Sequence, residues 1–290
     1  MTYPTKPGSS VILDLPDDAY HSLPELSSSQ AKALLESPAR FNYWRNKRRP
    51  EKKTYDVGHA VHAKVLGTGA TVVAIPDDLL ATNGAISTKA AKEWVEQARA
   101  EGKVPMKADE LRPIEEMSEA VLRHETASVL FSQPGNPEVS ILSTDPNTGV
   151  GVRARFDYLP YPRSPRAIAL ELKTTDDASP EAFVKSIIEY GYDLSHEWYR
   201  DTYRWATGEE VEFAFIVVEK RPPYLVAHYR LPESFIAMGS RKAIEARAQY
   251  AEYTASGVWP GYSPEIVPLE PPMWAVIQHE EKYAIEEMRV

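Results

Sequence analysis

In the stretch RARFDYLPYPRSPRAIALELKTT, Asp157 closes one run of alternating apolar residues. After thirteen intervening residues, Glu171-Leu172-Lys173 lies inside the next run. Residues i and i+2 of a strand share a face, so Glu171 and Lys173 project together. Two carboxylates brought to adjacent strand ends make a site for a hard divalent cation such as Mg²⁺. Such a cation lowers the pKa of its water and clamps a phosphate, and an ammonium beside it orients the nucleophile or stabilises developing charge. Together these are the parts needed to hydrolyse a phosphodiester.

The bare pattern occurs by chance in many strands, and its setting sharpens it. ALELKTT is otherwise apolar and reads as a central, buried strand. Buried unpaired charge is expensive, so Glu171 and Lys173 are either a structural ion pair or a site. In the structural alternative, Arg153 and Arg155 would neutralise Asp157 and Glu171. Glu138, in the preceding run PEVSIL, is a further acidic candidate. His62 is a second kind of candidate. His59 and His62 are three apart on a predicted helix and can share a face, but no HExxH motif is present.

Two other stretches suit nucleic acid. Arg40, Arg45, Lys47, Arg48, Arg49, Lys52 and Lys53 fall within fourteen residues, interleaved with Phe41, Tyr43 and Trp44. This is either a solvated face or a phosphate-contacting helix. The stretch after ELKTT carries Tyr190, Tyr192, Trp198, Tyr199, Tyr203 and Trp205. Most of these read as an amphipathic face packed on a sheet, with one or two available to stack on bases.

The elements that must position these residues follow from periodicity and punctuation. Residues 1–19 read as an irregular lead. The helices AKALLES, capped by Ser27-Ser28-Ser29, and PARFNYWRNKRR, opened by Pro38 and ended by Pro50, come next. A helix over TYDVGHAVHAKVLG, a short strand TVVAIP, a helix capped by Ser87, and a long helix or helix pair over 107–131 complete a mainly helical portion, 20–132. PEVSILSTD, GVGVRARFDYLP and AIALELKTT are successive strands, with Asn147-Thr148-Gly149 as a hairpin turn. A helix from Ser179-Pro180 to Gly208, two strands and a long helix close the catalytic portion, 133–275, and 276–290 is a tail. The sequence predicts an α/β fold behind a helical layer, in one domain over 20–290.

Composition narrows the chemistry. The 290 residues include no cysteine, which excludes disulfides, thiol catalysis and Cys-ligated iron–sulfur or zinc centres. No apolar run approaches a membrane span, and the N-terminus lacks signal-peptide character, so the sequence predicts a cytoplasmic protein. The net charge of −9 speaks against a protein coated in nucleic acid but is compatible with an acidic cation site.

Several segments together resemble the phage and prophage RecE-like exonucleases, PD-(D/E)XK proteins related to the RecB nuclease domain. DLPDDAYHSLPELSSSQAKALLESPARFNYW resembles their N-terminal signature, and VGHAVHAKVLG their Gly-x-x-x-His helix, mapped onto Gly58 and His62. RARFDYLP and ALELKTT carry Asp157, Glu171 and Lys173, and YGYDLSHEWYRDTYRWATG resembles the following helix, whose Tyr maps onto Tyr199. The resemblance runs over about residues 20–275 and implies a restriction-endonuclease-like core, a central mixed sheet flanked by helices. It also implies a Mg²⁺-dependent exonuclease, with Mn²⁺ as a substitute and no iron–sulfur cluster. Such an enzyme digests duplex ends to leave a 3′ single strand for a RecT-like annealing partner in phage-type recombination. On this carry-over His62, Asp157 and Glu171 hold metal, and Lys173 serves the water. Tyr199 is a further catalytic and DNA-contacting residue, Glu138 a weaker acid, and Arg45, Lys47, Arg48 and Arg49 contact DNA. A ring-shaped homo-oligomer is typical of such enzymes. One departure stands out: the family often has Gln four residues before the helix Tyr, and this chain has Ser195, with Asp193 or His196 as possible substitutes. An endonuclease or structure-specific nuclease of the same superfamily, and a non-catalytic DNA-binding recombination protein, are the alternatives.

Overall fold

The computed structural model describes residues 2–45, 47, 57–68, 71–162 and 167–287. The chain opens with strand β1 (Ser10–Ile12), helix α1 (Asp17–Ser22), strand β2 (Leu26–Ser27), and helices α2 (Ser28–Glu36) and α3 (Pro38–Arg45). Helix α4 (Val57–Leu66), strand β3 (Val72–Ala74), helix α5 (Lys89–Ala100), strand β4 (Val104–Met106), and helices α6 (Ala108–Arg123) and α7 (Glu125–Phe131) follow. Next come strands β5 (Gly135–Thr144), β6 (Gly151–Pro160) and β7 (Ile168–Thr175), then helices α8 (Pro180–Tyr190) and α9 (Tyr192–Thr207). Strands β8 (Glu212–Glu219) and β9 (Val226–Tyr229) and helices α10 (Glu233–Ser256) and α11 (Met273–Glu287) end the chain. It divides into two compact units, Met1–Trp259 and Pro260–Val290.

The main sheet has the order β1-β5-β6-β7-β8-β9, with β2 also paired to β6, and β3 and β4 form a separate parallel pair. β5, β6 and β7 run antiparallel in sequence. β7 and β8 are parallel from Ile168↔Glu212 to Thr175↔Glu219, joined by a crossover through α8 and α9. The result is a central mixed sheet flanked by helices, as the resemblance implies.

Each face of the sheet buries its own apolar layer. Phe156, Ala169, Phe213 and Phe215 pack against Phe183 and Ile187 of α8 and Tyr203 and Ala206 of α9. On the opposite face, Leu172, Ile216 and Val218 pack against Ala60 and Val61 of α4 and Met117 and Val121 of α6. Burying each large side chain contributes about 1.5–3 kcal/mol. Odd and even residues of β7 therefore serve different layers, and Glu171 and Lys173 project toward the side of α8 and α9.

Local punctuation explains the boundaries. Ser27 caps α2 by accepting from Gln30 N–H, while the Gln30 side chain accepts from Ser27 N–H at 2.9 Å. α8 starts at Pro180 behind the Ser179 cap, and α9 ends at Gly208. Three expectations need correction. The expected irregular lead contains β1, whose three residues are too few to show a period and which pairs with the open edge of β5. The cap of α5 is Thr88 rather than Ser87, accepting from Ala91 N–H at 3.0 Å. The helix expected from Ser179 to Gly208 is two helices, broken at Gly191, whose φ of 61° lies in the left-handed region that glycine tolerates.

α10 crosses α9 at Gly239, where a Cβ would lie 2.1 Å from the Asp193 carbonyl oxygen. Gly239→Ala is expected to cost about 1–3 kcal/mol, because backbone, not a flexible side chain, must yield. The urea midpoint of unfolding reads this out, and an unchanged midpoint would show that the close crossing is not required.

Candidate active site

The site grows from a fork in the sheet. One edge of β6 is shared: β2 pairs with its start through Leu26↔Val152 and Ser27↔Arg153, and β7 pairs with its end through Tyr158↔Leu170. Leu172 of β7 lies beyond that last pair, so its backbone groups on this side need other partners. The Asp157 carboxylate accepts the Leu172 N–H at 2.7 Å. His62 on α4 places Nε2 2.7 Å from the Leu172 carbonyl oxygen. A carbonyl only accepts, so Nε2 carries a proton and donates. The residue between Glu171 and Lys173 is thus held by the two other members of the predicted set.

This hydrogen bond directs the other ring nitrogen. His62 Nδ1 lies 3.4 Å from an Asp157 carboxylate oxygen. In the neutral ring with Nε2 protonated, Nδ1 is an acceptor facing an acceptor, an arrangement that a cation between them would satisfy. Glu138 stands opposite Asp157 on β5, between the pairs Pro137↔Tyr158 and Val139↔Phe156. Its φ of 50° is strained for a residue with a side chain. Ligand atoms of His62, Glu138 and Asp157 lie within 4.8 Å of one another. Burial, then the Asp157 charge, push the Glu138 carboxyl up to about 7.

Glu171 sits at the other side of the fork and is 7% exposed. Its Oε1 accepts from Lys173 Nζ at 2.6 Å, and its Oε2 is buried without a hydrogen-bond partner. Burial, then the Asp157 charge, raise the Glu171 carboxyl above its ordinary range, with Lys173 opposing. Burial pulls the Lys173 ammonium down, but Glu171 and Asp157 outweigh it and keep it protonated. His62, Glu138 and Asp157 form a donor set that could hold a divalent cation.

The arginines do not cancel these acids. Arg153 donates to the backbone carbonyls of Leu23 and Glu25. Arg155 donates to Ser140 at 3.0 Å, to Asp17 at 3.1 Å and to the Leu15 carbonyl at 2.9 Å, and lies 3.9 Å from Glu138. They tie the N-terminal segment to the sheet and leave Asp157 and Glu171 unpaired by arginine.

Among the aromatics, Trp198 and Tyr203 are core. Tyr199 packs on Phe156 at 5.2 Å between ring centroids. Burial, then the Glu171, Tyr20 and Asp157 charges, hold its phenol well above the usual range. Tyr192, at the start of α9, has Lys173 Nζ 5.2 Å from its ring centroid. Ser195 is half-buried, and neither named substitute is free. His196 packs at 4.9 Å on Phe213 and bonds Glu197 at 2.7 Å, while Asp193 pairs with Lys242 at 2.7 Å. Lys32 of α2 was missed in the sequence: Lys32 Nζ is 5.6 Å from the Tyr192 centroid. Its one signal was a lysine set among the apolar positions of AKALL.

The basic stretch stands apart. Arg45 lies over Trp259 at 4.3 Å and Lys47 over Tyr43 at 3.7 Å, and neither makes a hydrogen bond or ion pair with the acidic cluster. Arg48, Arg49 and the side chain of His59 lie outside the described residues.

A carboxyl with a raised folded-state pKa favours folding at low pH. The share due to Glu138 is present below its ordinary 4.5 and is lost as pH rises through about 7. In cation-free buffer the wild-type Tm is therefore expected to fall further between about pH 5 and about pH 8 than that of Glu138→Gln, by a few degrees. Parallel melting curves would remove this account. At about pH 8, Mg²⁺ or Mn²⁺ is expected to raise the wild-type Tm and to act less on the variant.

No curated protein matches this chain. A crystal structure of a protein from Eubacterium rectale, named as a candidate exonuclease, superposes with a TM-score of 0.52 at 12% identity, covering 91% of this chain and 98% of that one. This likeness is one of fold. The solved structure of SSO0001 aligns with a TM-score of 0.27 at 13% identity over 68% of this chain and 93% of that one. The family described as "PDDEXK-like domain of unknown function (DUF3799)" matches residues 27–268, from the α2 cap through the whole site. The chain belongs to this PDDEXK-like family.

Proposed function

We propose that this protein is a divalent-metal-dependent deoxyribonuclease, acting as an exonuclease on duplex ends. The observation that carries the reading is the fork itself. A His62–Glu138–Asp157 donor set within 4.8 Å stands across Leu172 from the Glu171–Lys173 pair. His62, Glu138 and Asp157, with the unpartnered oxygen of Glu171, would hold the cation. One imidazole among carboxylates suits Mn²⁺ as well as Mg²⁺. The cation, when bound, supplies an acidified water and a clamp on the phosphate oxygens.

The remaining work falls to side chains. Lys173 Nζ, kept protonated by Glu171, presents N–H donors to the phosphate or the water at the reacting centre. Glu171 fixes that ammonium through Oε1. Tyr199 remains a neutral phenol, suited to hydrogen-bond or stack beside the site rather than to repel a phosphate. The name given to the Eubacterium rectale structure favours an exonuclease over an endonuclease. The resemblance to RecE-like enzymes extends the proposal to a 3′ single strand delivered to an annealing protein in phage-type recombination. It also suggests a ring-shaped homo-oligomer in the host cytoplasm. Among the described residues no helix is long and apolar enough to cross a membrane. Arg45, Lys47, Arg48 and Arg49 are proposed DNA contacts away from the reacting centre.

Asp157→Asn and Lys173→Ala are each expected to lower hydrolysis of linear duplex by about a hundredfold or more, with circular dichroism unchanged. Full activity in both variants would end the proposal for this site. Covalently closed duplex should resist the enzyme, and its cleavage would reassign the protein as an endonuclease. End-labelled duplex, with Mg²⁺ and with chelator, reads polarity and metal dependence together.

A further inference from the structure

Three lysines from different elements converge on the break between α8 and α9, and two already have acids. Lys173 is paired with Glu171 at 2.6 Å, and Lys242 of α10 with Asp193 at 2.7 Å. Lys32 has no hydrogen-bond or carboxylate partner among the described residues. Its stem lies across Gly191, where a Cβ would come within 3.3 Å of its Cδ, so the missing side chain at Gly191 forms the cradle. Its ammonium sits 5.6 Å from the centroid of the Tyr192 ring, whose other cationic neighbour is Lys173. Lys32 is thus a half-buried cation beside a second ammonium, and the nearby acids Glu171 and Asp193 make their ion pairs with Lys173 and Lys242 instead.

We infer that Lys32 and Lys173, both set beside the Tyr192 ring, form a subsite for a phosphate of the substrate strand next to the reacting centre, with Lys32 as a positioning residue. The inference rests on the nuclease reading above. Burial, then the charge of Lys173, lower the Lys32 ammonium to about 8, and a bound phosphate would relieve both effects. Lys32 differs in this from the exposed basic residues of α3: it is preset by a glycine cradle and an aromatic ring, and so loses little freedom on binding.

The test uses the full chain. Lys32→Ala is expected to raise KM for linear duplex about tenfold, to change kcat less than about threefold, and to reduce the salt dependence of binding by about one counterion. Lys32→Arg should restore most of the KM. A KM within about twofold of wild type, or a loss confined to kcat, overturns the inference. Duplexes with 5′-hydroxyl and 5′-phosphate ends separate the two sources: equal effects assign an internal phosphate, and an effect on phosphorylated ends alone assigns the terminal one. A second measurement is independent of turnover. With Ca²⁺ replacing Mg²⁺, a short duplex should protect Lys32 from an amine-reactive acetylating reagent, read by peptide mass spectrometry, while the exposed Lys89 is unaffected. Hydrolysis by the wild type without protection of Lys32 overturns this subsite and leaves the nuclease reading standing. Absence of both hydrolysis and protection ends both.

Discussion

The backbone of Leu172 is the constraint on which the site depends. In a continuous sheet its N–H and C=O would be taken by a neighbouring strand, and here β6 is occupied by β2 at one end and β7 only at the other. A buried peptide group left unpaired costs about as much as a lost hydrogen bond. Asp157 and His62 meet that need with the side chains that also make the donor cluster. Structural demand and chemical placement therefore coincide. The carboxylate cannot turn away without orphaning an N–H, and the imidazole cannot change tautomer without losing its carbonyl.

Around that fixed point the electrostatics are deliberately unbalanced. Glu138, Asp157 and Glu171 are gathered in partly or fully buried positions, and only Glu171 has a lysine. Burial and mutual repulsion raise Glu138 and Glu171. A fold selected for stability alone would place apolar residues or arginines there. Arg153 and Arg155 are present on the same strand yet are spent on the N-terminal segment. Local strain at Glu138, with its φ of 50°, fits the same pattern of stability given up for placement.

Much of the fold could be read from residue order. β5, β6 and β7 show a period of two or an unbroken apolar run, and Ser179-Pro180 and Gly208 mark the ends of the following helical stretch. Where the reading failed, the cause was long-range. β1 is three residues long and exists because β5 has a free edge. The break at Gly191 carried no local stop signal stronger than a lone glycine. It follows from the turn needed to lay α9 across the sheet after α8. Ser195 and His196 show the limit of alignment by motif: His196 is on the expected helix, but its ring faces Phe213.

By itself the sequence determined the chemistry available: no thiol, carboxylates and a lysine in a strand that must be buried, and a histidine upstream on a helix. Side-chain alternation is a property of local backbone geometry, so Glu171 and Lys173 were bound to share a face. Only the tertiary structure decided which groups meet. It brought Glu138 opposite Asp157 through β5–β6 register and put His62 on Leu172 through the packing of α4. It set Lys32 over Gly191 by crossing α2 with the α8–α9 break. Those juxtapositions depend on strand register and helix packing over separations of tens to more than a hundred residues, which no local pattern encodes.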